Sequence, residues 1–223
     1  MTIPSQLPVK RSHDQARTAY NAMSGYYDLM AGSSERKYKL IGLEMLDVQP
    51  GEKALEIGTG TGQILPILSK AAGDQGLVCG MDLSDGMLSV AQKRLKKTAK
   101  TPNIALQCGD ALHLPYATHY FDALFLSFTL ELFDTPEIPL VLTECRRVLK
   151  PAARLCVVAM SKQQNITLME KLYEWTHVHF EAYADCRPIL LQPALLEAGF
   201  HIQLEKQARM FGLPVGMVLA KAA

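Results

Sequence analysis

The sequence predicts an α/β domain, a doubly wound and mostly parallel seven-stranded sheet with a C-terminal antiparallel hairpin and a small helical lid. Three observations lead there. Short apolar runs alternate with helical stretches from Lys53 to Met160, a rhythm that places crossover helices on both faces of a parallel sheet. A loop of alternating glycines, Gly58, Gly60 and Gly62, joins the first of those runs to the next helix. After Ser161 the rhythm changes, and the last two apolar runs are joined by a connection around Gly212 and Pro214 that is short enough for a hairpin.

Taken in order, residues 1–15 are polar and proline-bearing, read as a loose tail, and lack the apolar stretch of a signal peptide. A single domain over 16–223 follows. Ala16 to Met30 and Ser34 to Leu46 read as helices, and Gln49-Pro50-Gly51 then punctuates the chain. Strands are expected at Lys53 to Ile57, Gly76 to Leu83, Asn103 to Gly109, Phe121 to Ser127 and Arg154 to Met160. Helices are expected between them at Gln63 to Ala72, Asp85 to Thr98 and Thr135 to Leu149. Beyond the fifth strand, residues 162–192 form the expected lid, built on a helix from Asn165 to Tyr183. Gln192 to Ala198 is a further helix, and Ile202 to Ala208 and Val215 to Ala220 are the final strands.

Hydrophobic residues make up 48% of the 223 and charged residues 20%, enough for one sizeable core. The formal net charge of +1 argues against nucleic acid as an obligatory partner, because phosphate binding needs a concentrated basic surface. Lys93, Arg94, Lys96, Lys97 and Lys100 fall in the last turns of a helix, where cations offset the dipole, and read as a solvated face. The five cysteines form no C-x-x-C pair; Cys79 and Cys156 lie in apolar runs, as reduced buried thiols do. No apolar stretch is long enough for a bilayer, since Ser127, Thr129 and Glu131 interrupt the longest. The expectation is a cytoplasmic protein, a monomer or homodimer, with a small molecule as its partner.

Leu55-Glu56-Ile57-Gly58-Thr59-Gly60-Thr61-Gly62-Gln63 carries the functional reading. Glycines there let the backbone turn sharply and approach a ligand at the carboxyl end of a strand. A dinucleotide fingerprint, G-x-G-x-x-G, would need glycine where Gln63 stands. Glu56 would repel a pyrophosphate and suits a phosphate-free ligand with a cationic amino group and a sulfonium; capping of a nearby amide is its alternative role. Asp82 ends the second strand, where an acid can accept both ribose hydroxyls, whereas helix capping there suits Ser84 or Asp85 better. Asp110 ends the third strand, placed to accept from an adenine amine or to form an Asx-turn. Three acids at three consecutive strand ends, beside this loop, point to S-adenosylmethionine.

These motifs resemble the class I S-adenosylmethionine-dependent methyltransferases, Rossmann-like in fold, and within them the UbiE-like group, which includes methyltransferases of ubiquinone and menaquinone biosynthesis. Tyr27-Asp28-Leu29-Met30 is similar to that group's Y-D-x-M element, which lies over the cofactor. Gly109-Asp110-Ala111, Leu114-Pro115-Tyr116 and Phe121-Asp122-Ala123 resemble its G-D-A, L-P-F and F-D stretch, and Arg147-Val148-Leu149-Lys150-Pro151 its R-V-L-K-P turn. The resemblance implies methyl transfer by direct displacement, with S-adenosylhomocysteine as product, and N-terminal helices over 16–48 covering the cofactor. It places Thr61, Asp82, Asp110, Ala111 and Ser127 around that cofactor. With the loop and its neighbours, the candidate set adds Tyr27, Glu56, Gly58, Thr59, Gly60, Gly62, Leu83, Met87 and Gly109.

Two departures stand out. Quinone-methylating members usually carry an Arg-Asn pair after the fourth strand, where this chain has Glu131 and Leu132; the change sits where an acceptor would approach. Ala152-Ala153 replaces a glycine pair in a turn. The lid, Asn165 to Arg187, offers Tyr173, Trp175, His177, His179, Phe180 and Tyr183 as an apolar wall with polar tips, although Leu172, Trp175, His179 and Tyr183 also fit one packed helix face. His177 and His179 would point to different sides of a helix, which argues against a metal site. Either suits a general base, and Glu131 is the third candidate. The acceptor stays open between a ring carbon of a quinol-like lipophile, an oxygen, a nitrogen of an amine or phospholipid headgroup, and sulfur. The rival readings are a dinucleotide-dependent oxidoreductase, disfavoured by Gln63 and Glu56, and a cofactor-binding protein without turnover.

Overall fold

The computed structural model describes residues 8–9, 11–29, 33–98, 103–162 and 187–222. Five strands, β1 (Lys53–Ile57), β2 (Leu77–Asp82), β3 (Ile104–Cys108), β4 (Phe121–Ser127) and β5 (Leu149–Met160), pair in parallel. β6 (Phe200–Met210) and β7 (Leu213–Ala222) form a hairpin, and β7 runs antiparallel to β5. The sheet order is β3-β2-β1-β4-β5-β7-β6. It reverses between β1 and β4, and ligands of open α/β sheets bind at such a switch point.

Period-two alternation decides which face each side chain joins. In β4, Leu124 and Leu126 pack with Val141, Leu142 and Cys145 of helix α5 (Ile138–Val148) and Leu195 of α6 (Leu191–Glu197). Ala123 and Phe125 turn the other way, toward Leu46 of α2 (Ser33–Leu46) and Leu65 and Leu68 of α3 (Leu65–Ala72). Helix α4 (Asp85–Lys97) follows β2 and is capped by Ser84, whose hydroxyl accepts the Met87 amide at 3.0 Å.

Several boundaries differ from the sequence reading. Helix α1 (His13–Met23) begins before Ala16, because Ser12 and Gln15 form a reciprocal capping box, so the loose tail ends earlier than residue 15. It also ends before Met30. β5 starts at Leu149, which pairs with Phe121 ahead of a register shift, so Arg147 and Val148 of the R-V-L-K-P segment end α5 and Leu149 to Pro151 are already sheet. The hairpin closes over two residues, Phe211 and Gly212, both with positive φ (51° and 82°), and this tight turn lengthens both strands. The proposed lid helix, with His177 and His179, lies outside the described residues. Among the described residues Cys79, Cys145 and Cys156 are buried free thiols, and no helix is long and apolar enough to cross a membrane.

Candidate functional site

A cavity opens at the carboxyl ends of β1, β2, β3 and β4, roofed by α1 and the segment that follows it. Glu56, Asp82 and Asp110 all line it, from the ends of three adjacent strands. Tyr27, Gly58, Thr59, Gly60, Thr61, Leu83, Met87, Gly109, Ala111 and Ser127 line it too. Gly62 does not. A Cβ on Gly62 would lie 2.8 Å from the Cβ of Ala91, so this glycine serves close packing of the loop against α4, a correction to its place in the candidate set.

Each acid has a distinct setting. Glu56 is 2% exposed, accepts the Thr59 hydroxyl at 2.8 Å, and has its pKa pushed up to about 7 by burial, with the charge of Asp82 adding and Thr59 and Lys39 opposing. Asp82 accepts the Gly60 amide at 2.7 Å and the Ser84 amide at 2.8 Å, which ties the glycine loop to the β2–α4 turn. Burial raises its pKa against those two hydrogen bonds. Asp110 accepts the Leu112 amide at 3.0 Å, the Asx-turn that was its alternative role, and still faces the cavity.

The loop glycines divide the work. At Gly58 (φ +71°) a Cβ would sit 2.1 Å from the Thr129 hydroxyl oxygen, whereas at Gly60 (φ +54°) it would meet open space beside the cavity. Gly58→Ala is therefore expected to cost about 3 kcal/mol of stability, from overpacking plus left-handed backbone. Gly60→Ala should cost about 1 kcal/mol yet place a methyl group in the ligand's path. Thermal unfolding with and without adenosylhomocysteine checks both: Gly60→Ala should keep most of its melting temperature and lose the ligand-induced rise.

The roof is held by polar contacts, since no residue of α1 is buried. The Asn21 side-chain oxygen accepts from the Ser84 hydroxyl at 2.5 Å and the Gly86 amide at 3.0 Å. Asp28 accepts from Thr61 at 2.5 Å and Gln63 at 2.7 Å and pairs with Arg94; burial opposes its ionisation, but these partners hold its pKa below the usual carboxylate value. The aspartate of the Y-D-x-M element thus clamps the loop itself.

The sequence reading missed Lys39, Arg11 and His13, which also line the cavity. Lys39, on α2, pairs with Glu35 at 2.8 Å and stands 5.9 Å from the Phe128 ring. Its i,i+4 spacing from Glu35 was the available signal, but nothing local said that this pair meets the strand ends. Glu131 is fully buried, accepts the Met160 amide at 2.9 Å, and is absent from the cavity lining. Its negative charge acts on Arg187, which is also fully buried and donates to the Phe133 carbonyl at 2.7 Å.

The residues fit adenosylmethionine on two structural grounds. The Ser127 hydroxyl oxygen is buried at the cavity wall with no hydrogen-bond partner among the described residues, and Gly60 leaves open space where a side chain would intrude. Solved structures share the fold. The cyclase SpnF superposes with a TM-score of 0.75 at 18% identity, covering 97% of this chain and 98% of its own. An S-adenosylmethionine-dependent methyltransferase from Aquifex aeolicus superposes with a TM-score of 0.66 at 22% identity, over 91% and 98%. The ubiquinone/menaquinone biosynthesis C-methyltransferase of Teredinibacter turnerae is 33% identical over 159 residues, 70% of this chain and 63% of that protein. The demethylmenaquinone methyltransferase of Shouchella clausii is 32% identical over 169 residues, 76% and 70% respectively. The chain thus spans somewhat under two thirds of the first of these relatives. The ubiE/COQ5 methyltransferase family matches residues 3–182, and the chain belongs to that family.

Proposed function

We propose that this protein transfers a methyl group from S-adenosylmethionine to a quinol-like or other lipophilic small molecule. The carrying observation is that Glu56, Asp82 and Asp110 reach one cavity from three adjacent strand ends beside the glycine loop. Bound there, adenosylmethionine supplies an activated methyl on a cationic sulfur. The chain's own residues bind, align and exclude water, which is most of what such a displacement requires. Glu56 meets the amino group, Asp82 the ribose hydroxyls, Asp110 the adenine amine, and Lys39 the carboxylate at the amino-acid end. Phe128, Leu132 and Phe133 line the cavity and suit an apolar acceptor, as do the substrates named for the quinone-methylating relatives.

Where the acceptor must lose a proton, the base is His177 or His179 rather than Glu131, whose carboxylate is committed to Met160. Of the Glu131-Leu132 pair only Leu132 lines the cavity, where it adds to the apolar wall. Incubation with methyl-labelled cofactor and fractionated cell extract tests the reading. Label should enter the apolar fraction, and adenosylhomocysteine, but not NAD, should raise the melting temperature. Label found only in polar metabolites would overturn the lipophilic acceptor; a response to NAD would overturn the cofactor.

A further inference from the structure

His13 is the first residue of α1 and lines the cavity. Its Nδ1 lies 2.5 Å from the Asp110 carboxylate and its Nε2 lies 3.2 Å from Glu137, while the ring meets Phe133 edge-on at 5.8 Å. One carboxylate comes from the end of β3 and the other from the residue before α5. A neutral imidazole has one N–H and can satisfy only one of them; an imidazolium satisfies both. The first turn of a helix disfavours a cation, so this arrangement rests on the two carboxylates overriding the dipole.

We propose that His13 is a positioning residue for the cofactor's nucleobase: as an imidazolium it bridges Asp110 and Glu137, fixes the carboxylate that accepts the base's amine, and holds the start of α1 over that end of the cavity. The proposal rests on the nucleoside placement given above. Asp110 keeps a fixed orientation because one oxygen takes the Leu112 amide and the other the imidazolium, and each oxygen retains a lone pair for the ligand. Burial pulls the His13 pKa down, but the hydrogen bonds and charges of Asp110 and Glu137 outweigh it, so the cationic form persists above the ordinary histidine value. Among the described residues, other charged groups on the surrounding elements include Arg11 on the cavity wall, Asp14 and Arg17 on α1, Asp134, which accepts the Val9 amide at 2.9 Å, and Arg187, which donates to the Phe133 carbonyl.

The test measures the affinity of the full chain for adenosylhomocysteine and for its 6-deaminated inosine counterpart, by calorimetry from pH 6 to pH 8.5. His13→Gln is compared with wild type at each pH. Glu56 titrates in the same range but is present in both proteins, so the ratio of the two affinities isolates His13. At pH 6 wild type should bind adenosylhomocysteine roughly tenfold more tightly than His13→Gln, the advantage should shrink as the imidazolium loses its proton, and the preference for the amine over the inosine form should fall in the variant. A pH-independent ratio, or unchanged base preference, would overturn the role of His13 alone. Failure of wild type to bind adenosylhomocysteine at any pH would overturn the cofactor reading with it.

Discussion

Asp82→Ala is expected to weaken adenosylhomocysteine binding by at least about 100-fold, with a folded protein remaining. The side chain does two jobs at once. Its oxygens take the Gly60 and Ser84 amides, which set the glycine loop against the start of α4. In the function proposed above they also offer their remaining lone pairs to the ribose. Removing the carboxylate leaves two backbone donors without their charged acceptor and frees the loop, at about 1.5–3 kcal/mol for each hydrogen bond to a charged group. Asp82→Asn keeps one acceptor oxygen and should fall between alanine and wild type. Calorimetric titration of the three proteins decides the matter, and equal affinities would remove Asp82 from the site.

Glu56→Gln is expected to stabilise the ligand-free protein at pH 8 while weakening ligand binding about tenfold or more. The Glu56 carboxyl has a folded pKa of about 7 against an ordinary value of 4.5. The unfolded chain therefore releases this proton first. The stability contributed by the protonated group is fully present below about 4.5 and is lost as pH rises toward 7. Glutamine keeps the acceptor for Thr59 and carries no charge to bury, so at pH 8 it should recover on the order of 3 kcal/mol, several degrees in melting temperature. In the function proposed above, however, the ligand's cationic amino group needs the carboxylate. Wild-type affinity should accordingly rise as pH passes through about 7, and the variant should show no such rise from this position. A lower melting temperature in the variant at pH 8, with unaltered affinity, would contradict the burial of a charged Glu56 in this cavity.

Much of the site was legible before the fold because its parts are local in sequence. Glu56 precedes the glycine loop by two residues, Asp82 ends a short apolar run, and parallel topology brings the ends of consecutive strands to one edge. The capping box at Ser12 and Gln15 was equally local, and composition near the terminus obscured it. Only the tertiary structure decided the rest. That Asp28 clamps Thr61 and Gln63, that His13 reaches Asp110, and that Lys39 stands near Glu56 depend on where α1 and α2 cross the strand ends. Gly62 faces Ala91 because α4 packs against the loop, and Glu131 turns inward to the Met160 amide at the end of β5. Periodicity records which side of an element is buried; it does not record which distant polar group a side chain will meet, because that is set by how the helices pack on the sheet.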